Sequence, residues 1–189
     1  MEIISKTYDW KSPLTKRSET SFIVLHHRAG EGDVKSIHSL HQQRGYSGIG
    51  YHFYVRKDGK IYQGRPIETV GAHTLGANQK SIGICFEGDF EKEQKMPLLE
   101  EKSGRKLVDY VKTIYQNAKV VGHRDLQSTL CPGRYFPIEK IKEGIKDMTV
   151  EDAIEIIQAK AGIEDETIEF LLCYRYGEEL LRKLAEAMI

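Results

Sequence analysis

The segment G-H-R-D-L-Q-S-T-L-C-P-G, Gly122 to Gly133, constrains this chain more than any other. Val120 and Val121 form a short apolar run, Gly122 breaks it, His123 follows, and Cys131 closes an irregular polar turn. Much earlier the run F-I-V-L, residues 22–25, ends in His26 and His27. Short apolar runs bounded by turn signals read as buried strands. Side chains at the exits of such strands are held by a rigid sheet yet face a cleft. Two imidazoles and a thiolate are a sufficient ligand set for a catalytic zinc, which leaves its fourth tetrahedral position to water. A structural zinc wants four protein ligands, and no fourth stands near these three in sequence. Taken singly, Cys131 reads as a small core hydrophobe and each histidine as an ordinary hydrogen-bonded side chain. Their shared position at strand exits is what points to a metal. Adjacent strand residues face opposite sides, and both sides of 22–25 are apolar, so the pattern leaves His26 and His27 open as alternatives.

The rest of the chain reads as α/β: a central mixed β-sheet flanked by helices, followed by a small all-helical C-terminal module. Residues 1–20 are polar and irregular, with Trp10 and Pro13, and are expected to wrap the domain edge. Asp33 is an N-cap for a helix running to Arg44 and stopped by Gly45, with Val34, Ile37, Leu40 and His41 on one face. His38 and His41, three apart on that helix, are expected to pack on the sheet and not to bind metal together. Tyr51–Arg56 and Lys60–Gln63 read as strands joined by the turn K-D-G. A loop over Thr69–Lys80 leads into a strand over Ser81–Glu87 that buries Cys85. Glu100–Asn117 is an amphipathic helix with Leu107, Val108, Val111, Ile114 and Tyr115 inward.

From about Thr149 the character changes. Three short helices follow, one capped by Thr149 and closed by Gly162, a second closed by Gly177, and a third to the end. Their expected inward residues are Ile154 and Ile157; Ile168, Leu171 and Leu172; and Leu180, Leu181, Leu184 and Met188. Cys173 is expected to be packed. The reading is two domains, 1–147 and 148–189.

Composition excludes several function classes. The 189 residues hold 28 basic and 28 acidic side chains, so no basic excess points to nucleic acid. Three cysteines do not suggest a disulfide framework. The start M-E-I-I-S-K-T-Y-D-W has no basic segment and apolar core of a secretory signal. No apolar stretch approaches the ~20 residues that span a bilayer, so no membrane insertion is expected.

Four blocks then carry a resemblance: I-V-L-H-H, G-I-G-Y-H-F, S-I-G-I-x-x-x-G-D-F and G-H-R-D-x-x-x-T-x-C-P-G. In this order and spacing, over roughly Phe22 to Pro137, the chain resembles the zinc N-acetylmuramoyl-L-alanine amidases. That family includes short phage lysozyme-amidases and the animal peptidoglycan recognition proteins. The resemblance implies Zn2+ as cofactor, held by His26, His123 and Cys131; the family pattern selects the first histidine of the pair. It implies that Tyr51 is a catalytic tyrosine, orienting water or stabilising an oxyanion. Thr129 stands where some phage members carry lysine and the cleaving recognition proteins carry threonine, so a hydroxyl donor replaces an ammonium. His73 and Asn78 match loop positions lining the substrate groove, and Arg65 is expected to reach the cleft too. Asp125 is either a turn cap or an aid to a ligand.

The implied reaction is hydrolysis of the amide between N-acetylmuramic acid and L-alanine, with bacterial peptidoglycan as partner. Two other functions compete: a non-catalytic peptidoglycan-binding module, and a cytosolic amidase recycling soluble muropeptides. Non-cleaving relatives typically lack the cysteine ligand, so Cys131 favours the enzyme. A wall-cutting enzyme without an export signal suggests a phage or prophage endolysin, made in the cytoplasm and acting on the wall after release. The helical module lies outside the resemblance. Some 41 residues bury little core alone, so it is expected to dock on the catalytic domain, form a homo-oligomer, or grip the wall.

Overall fold

Apolar strands organise the N-terminal part. In the computed structural model, which describes residues 1–144 and 148–188, six strands form one mixed sheet in the order β1-β4-β3-β5-β2-β6. They are β1 (Ile3–Ile4), β2 (Phe22–His27), β3 (Phe53–Val55), β4 (Ile61–Gln63), β5 (Ser81–Phe86) and β6 (Lys119–Gly122). β5, β2 and β6 run parallel, with His26 beside Cys85 and Leu25 beside Gly122. The pleat sends Ile23, Leu25, Ile82, Ile84 and Phe86 to one face, into a core with Leu107, Val108 and Val111 of helix α2 (Leu98–Ile114). The opposite face carries Cys85 and Tyr54 against Val34 and Ile37 of α1 (Val34–Gln43). A short α3 (Ile138–Lys142) buries Ile141 in the first core. The expected mixed sheet between helices is therefore the fold.

Several local expectations need correction. Residues 1–20 contribute a strand: β1 pairs with β4 and makes the sheet edge. On α1 the buried set is Val34, Ile37, His38 and His41, whereas Leu40 is exposed. His38 accepts from the Ile49 amide and His41 from the Gly50 amide, so both imidazoles brace the segment leading to Tyr51. α2 starts two residues early, after Pro97, and Ile114 at its last turn faces solvent. β3 starts at Phe53, with Tyr51 just ahead of it. The K-D-G turn is as expected, with Gly59 in the left-handed region at φ 81° and β3 antiparallel to β4.

The chain divides into two compact units, residues 1–144 and 145–189. The boundary expected between 147 and 148 abuts residues 145–147, which lie outside the described residues. The second unit has helices α4 (Val150–Ala161), α5 (Asp165–Leu172) and α6 (Gly177–Met188). Thr149 and Asp152 form a reciprocal capping box at the start of α4, and Gly162 ends it at φ 64°. Its small core is Ala153, Ile156, Ile157, Ile168, Leu181 and Ala185. Leu172, Leu180 and Cys173 point outward, against expectation. Gly177 begins α6 and does not close α5; a Cβ there would meet the Leu171 carbonyl oxygen at 2.2 Å.

Candidate metal centre

The parallel strands deliver two histidines to one end of the sheet. His26 is the penultimate residue of β2 and His123 follows β6, both at carboxyl ends, where open α/β sheets place their sites. Cys131 returns through a turn that the backbone closes on itself. The Arg124 amide donates to the Cys131 carbonyl at 2.9 Å, and the Cys131 amide donates to the Thr129 hydroxyl at 3.2 Å. Asp125 accepts from the Gly122 amide at 2.8 Å, so it caps the turn that presents His123. His26, His123 and Cys131 bring their donor atoms within 4.8 Å of one another, and among the described residues no other His, Cys, Asp and Glu group does so. His27 faces elsewhere: its Nδ1 accepts from the Phe90 amide and lies 3.8 Å from Asp89.

The donor set fits a zinc ion. Cys131 Sγ lies 3.7 Å from His26 Nδ1, while His26 Nε2 faces His73 Nδ1 at 3.0 Å and Thr74 Oγ1 at 3.4 Å. Occupying one ring nitrogen with a hydrogen bond leaves the other as a ligand, the usual arrangement around bound metals. Burial, then the neighbouring imidazoles of His123 and His27, hold His26 well below the usual histidine range, so it is neutral and has a lone pair to give. Burial pushes the Cys131 thiol up to about 11. A thiol enclosed with two imidazoles is an awkward neutral arrangement that a divalent cation resolves, because coordination deprotonates the sulfur.

Tyr51 leans over this group, with its ring 5.2 Å from that of His26 and 5.5 Å from that of His41. Burial first, then the neighbouring thiols of Cys85 and Cys131, raises its phenol well above the usual tyrosine range. It is therefore a protonated donor at neutral pH. Thr129 is used locally, as acceptor for the Cys131 amide. His73 packs behind His26, where it is enclosed and held well below the usual range by burial. Two glycines make its space: a Cβ on Gly83 would lie 2.6 Å from the ring, and one on Gly71 2.4 Å. Asn78 accepts from the amides of His73 and Thr74, both at 2.8 Å, and so shapes the loop that holds His73. Arg65 is 6% exposed, and its guanidinium is engaged by the carbonyls of Ile49 and Val70, with Trp10 at 5.6 Å, so it braces two loops.

Sequence reasoning missed three contributors: Thr74 against His26, Cys85 against Tyr51, and Gln127, whose Oε1 lies 2.7 Å from His123 Nε2. The periodicity of a strand marks Cys85 as inward, but nothing in one sequence announces its phenol neighbour.

Comparison with known proteins agrees with this geometry. A family model described as N-acetylmuramoyl-L-alanine amidase matches residues 16–134. The endolysin of Klebsiella phage KP32 is 32% identical over 130 residues, covering 65% of this chain and 86% of that protein. Peptidoglycan-recognition protein SC2 of Drosophila simulans is 33% identical over 148 residues, covering 69% of this chain and 80% of that protein. Among solved structures, the amidase LysC of Clostridium intestinale URNW superposes with a TM-score of 0.72 at 40% identity, covering 76% of this chain and 96% of that one. The Ph2119 endolysin of a Thermus scotoductus phage does so at 0.67 and 29% identity, covering 77% and 100%. By its fold, its motif blocks and this match, the chain belongs to the N-acetylmuramoyl-L-alanine amidase family.

Proposed function

We propose that His26, His123 and Cys131 hold the zinc ion with which this chain cuts the bond between N-acetylmuramic acid and L-alanine. Membership of the family makes the chain an N-acetylmuramoyl-L-alanine amidase, a peptidoglycan hydrolase. The observation that carries the site assignment is the convergence of three soft and borderline donors at the carboxyl ends of parallel strands. When bound, zinc supplies a Lewis acid for the carbonyl and lowers the pKa of water. His26 contributes a neutral imidazole, oriented by His73 and Thr74. Tyr51, protonated and with its ring beside that of His26, turns its one O–H to the oxyanion that develops on the attacked carbonyl. Thr129 holds the Cys131 backbone in place and keeps its own proton to donate towards the same oxygen. The oxygen of water ends in the lactyl carboxylate, the C–N bond breaks, and the nitrogen leaves as the amino terminus of L-alanine with a proton from water.

The two units differ in charge in a way that the formal total of zero conceals. Residues 1–144 carry 23 Lys and Arg against 17 Asp and Glu, a net of +6; residues 148–188 carry 4 against 10, a net of −6. The catalytic unit is thus attracted to an anionic wall and the helical unit repelled by it. If the helical unit grips the wall, exposed Phe170, Tyr174, Tyr176 and Leu180 make the contact, not charge. These residues support the reading of an attachment or self-association module. The endolysin relatives support action on the wall after release.

The test is digestion of purified sacculi and of soluble muropeptides, followed by identification of new amino termini. New L-alanine amino groups are expected. Reducing sugar ends without them would reject the reaction.

A further inference from the structure

Gln127 touches one group whose hydrogen-bonding role is fixed and one whose role depends on its tautomer. Its side-chain Nε2 donates to the carbonyl oxygen of Leu75 at 3.1 Å, and its Oε1 lies 2.7 Å from His123 Nε2. A carbonyl has no proton to give, so the amide nitrogen faces Leu75 and the amide oxygen faces the imidazole. An amide oxygen only accepts, so His123 carries its proton on Nε2. Its lone pair is then on Nδ1, the nitrogen left for a ligand role. Leu75 belongs to the same loop, residues 69–80, that sets His73 and Thr74 against His26 Nε2. One loop therefore contacts His26 directly and reaches His123 through Gln127.

We propose that Gln127 is a positioning residue: it sets the tautomer of His123 and ties that ring to the Leu75 carbonyl, so that the 69–80 loop orders two of the three ligands. This rests on the zinc reading above. Two substitutions separate the halves of the contact. Gln127→Leu fills similar space and removes both hydrogen bonds. Gln127→Glu keeps an acceptor for His123 Nε2 and gives up the donor to Leu75.

The experiment uses the full chain, freed of metal and labelled with 15N-histidine. Two-bond 15N–1H spectra read the His123 tautomer, and chelator competition reads zinc affinity, neither needing activity. The wild type is expected to show Nε2–H. Gln127→Leu is expected to show mixed tautomers and a roughly tenfold or greater loss of zinc affinity, the scale of losing a partner behind a ligating histidine. Gln127→Glu is expected to keep the Nε2–H tautomer and to lose zinc affinity by less than Gln127→Leu, the loss that remains reporting the tie to Leu75; no loss at all overturns the role of that tie. A wild-type His123 protonated on Nδ1 overturns the proposal, and so does a Gln127→Leu chain that binds zinc as tightly as wild type. If the leucine variant fails to fold, the glutamate variant decides: loss of the Nε2–H tautomer there overturns it. Wild type with the expected tautomer but no zinc affinity rejects the ligand set and the metal half of this proposal, while leaving the Gln127–His123 contact established.

Discussion

Glu100 predicts an unusual dependence of stability on pH. It sits in the first turn of α2, 0% exposed, and neither carboxyl oxygen has a hydrogen-bond partner among the described residues. Burial, then the nearby Glu87, pushes its carboxyl up to about 9 from an ordinary value of 4.5. A carboxyl raised in this way holds its proton in the fold and loses it in the unfolded chain, so stability falls as pH rises from the unfolded value to the folded one. Each pH unit costs about 1.4 kcal/mol. From pH 4.5 to 7 that is 2.5 units, or about 3 kcal/mol. Glu100→Gln removes the titration and leaves a neutral group of the same shape. Its buried amide needs partners and gives back about 1 kcal/mol, so a gain of about 2 kcal/mol is expected at pH 7. For a chain of this size that raises Tm by roughly 4–8 °C. Trp10, the one tryptophan, lies in the catalytic unit, so its fluorescence during urea unfolding reports that unit alone. The variant should gain on wild type steadily between pH 5 and pH 8. An unchanging difference across that range, or a variant less stable at pH 8, would refute a buried neutral carboxyl.

Three further outcomes follow from the site. Tyr51→Phe removes one hydroxyl and should retain zinc while kcat falls by about 10²-fold or more, the scale of losing one oxyanion donor; an unchanged rate returns Tyr51 to a packing role. Gly83→Ala places a methyl 2.6 Å from the His73 ring, so the ring must move off His26. We expect a loss of about 1–3 kcal/mol in stability with weakened zinc binding, and wild-type values for both would show that the ring has room. Residues 1–144 alone should cleave soluble muropeptides at the full rate, because every proposed ligand and donor lies within them; a truncated chain that cannot hold zinc would make the helices part of the catalytic fold.

The parts of this account legible in the sequence are those set by local pattern. Apolar runs ended by histidines gave the strands their place, and the turn from Gly122 to Gly133 brought His123 and Cys131 to the same end. The pleat, visible only once β5 and β6 flank β2, separates His26 from His27. Helical periodicity marks a face but not its width: Leu40, Ile114, Leu172 and Leu180 lie at margins or helix ends that their neighbours leave uncovered. β1 is two residues long in a polar segment, and it exists because β4 offers an unpaired edge. Arg65 follows a turn glycine with no periodic pattern around it, so its ties to the carbonyls of Ile49 and Val70 are visible only once those loops lie side by side. Thr74 and Gln127 reach ligands that are 48 and 4 residues away, and only the path of the 69–80 loop makes either contact meaningful.

The central claim is that His26, His123 and Cys131 bind the metal on which amide cleavage depends. It is tested most directly by metal analysis of wild type and Cys131→Ser, run beside release of L-alanine amino termini from sacculi. Wild type should hold one zinc per chain, lose activity to a chelator and regain it with added zinc. Cys131→Ser should lose both zinc and activity while its Trp10 fluorescence and melting stay near those of metal-free wild type. Full activity from rigorously metal-free protein, or from the serine variant without zinc, would contradict the account.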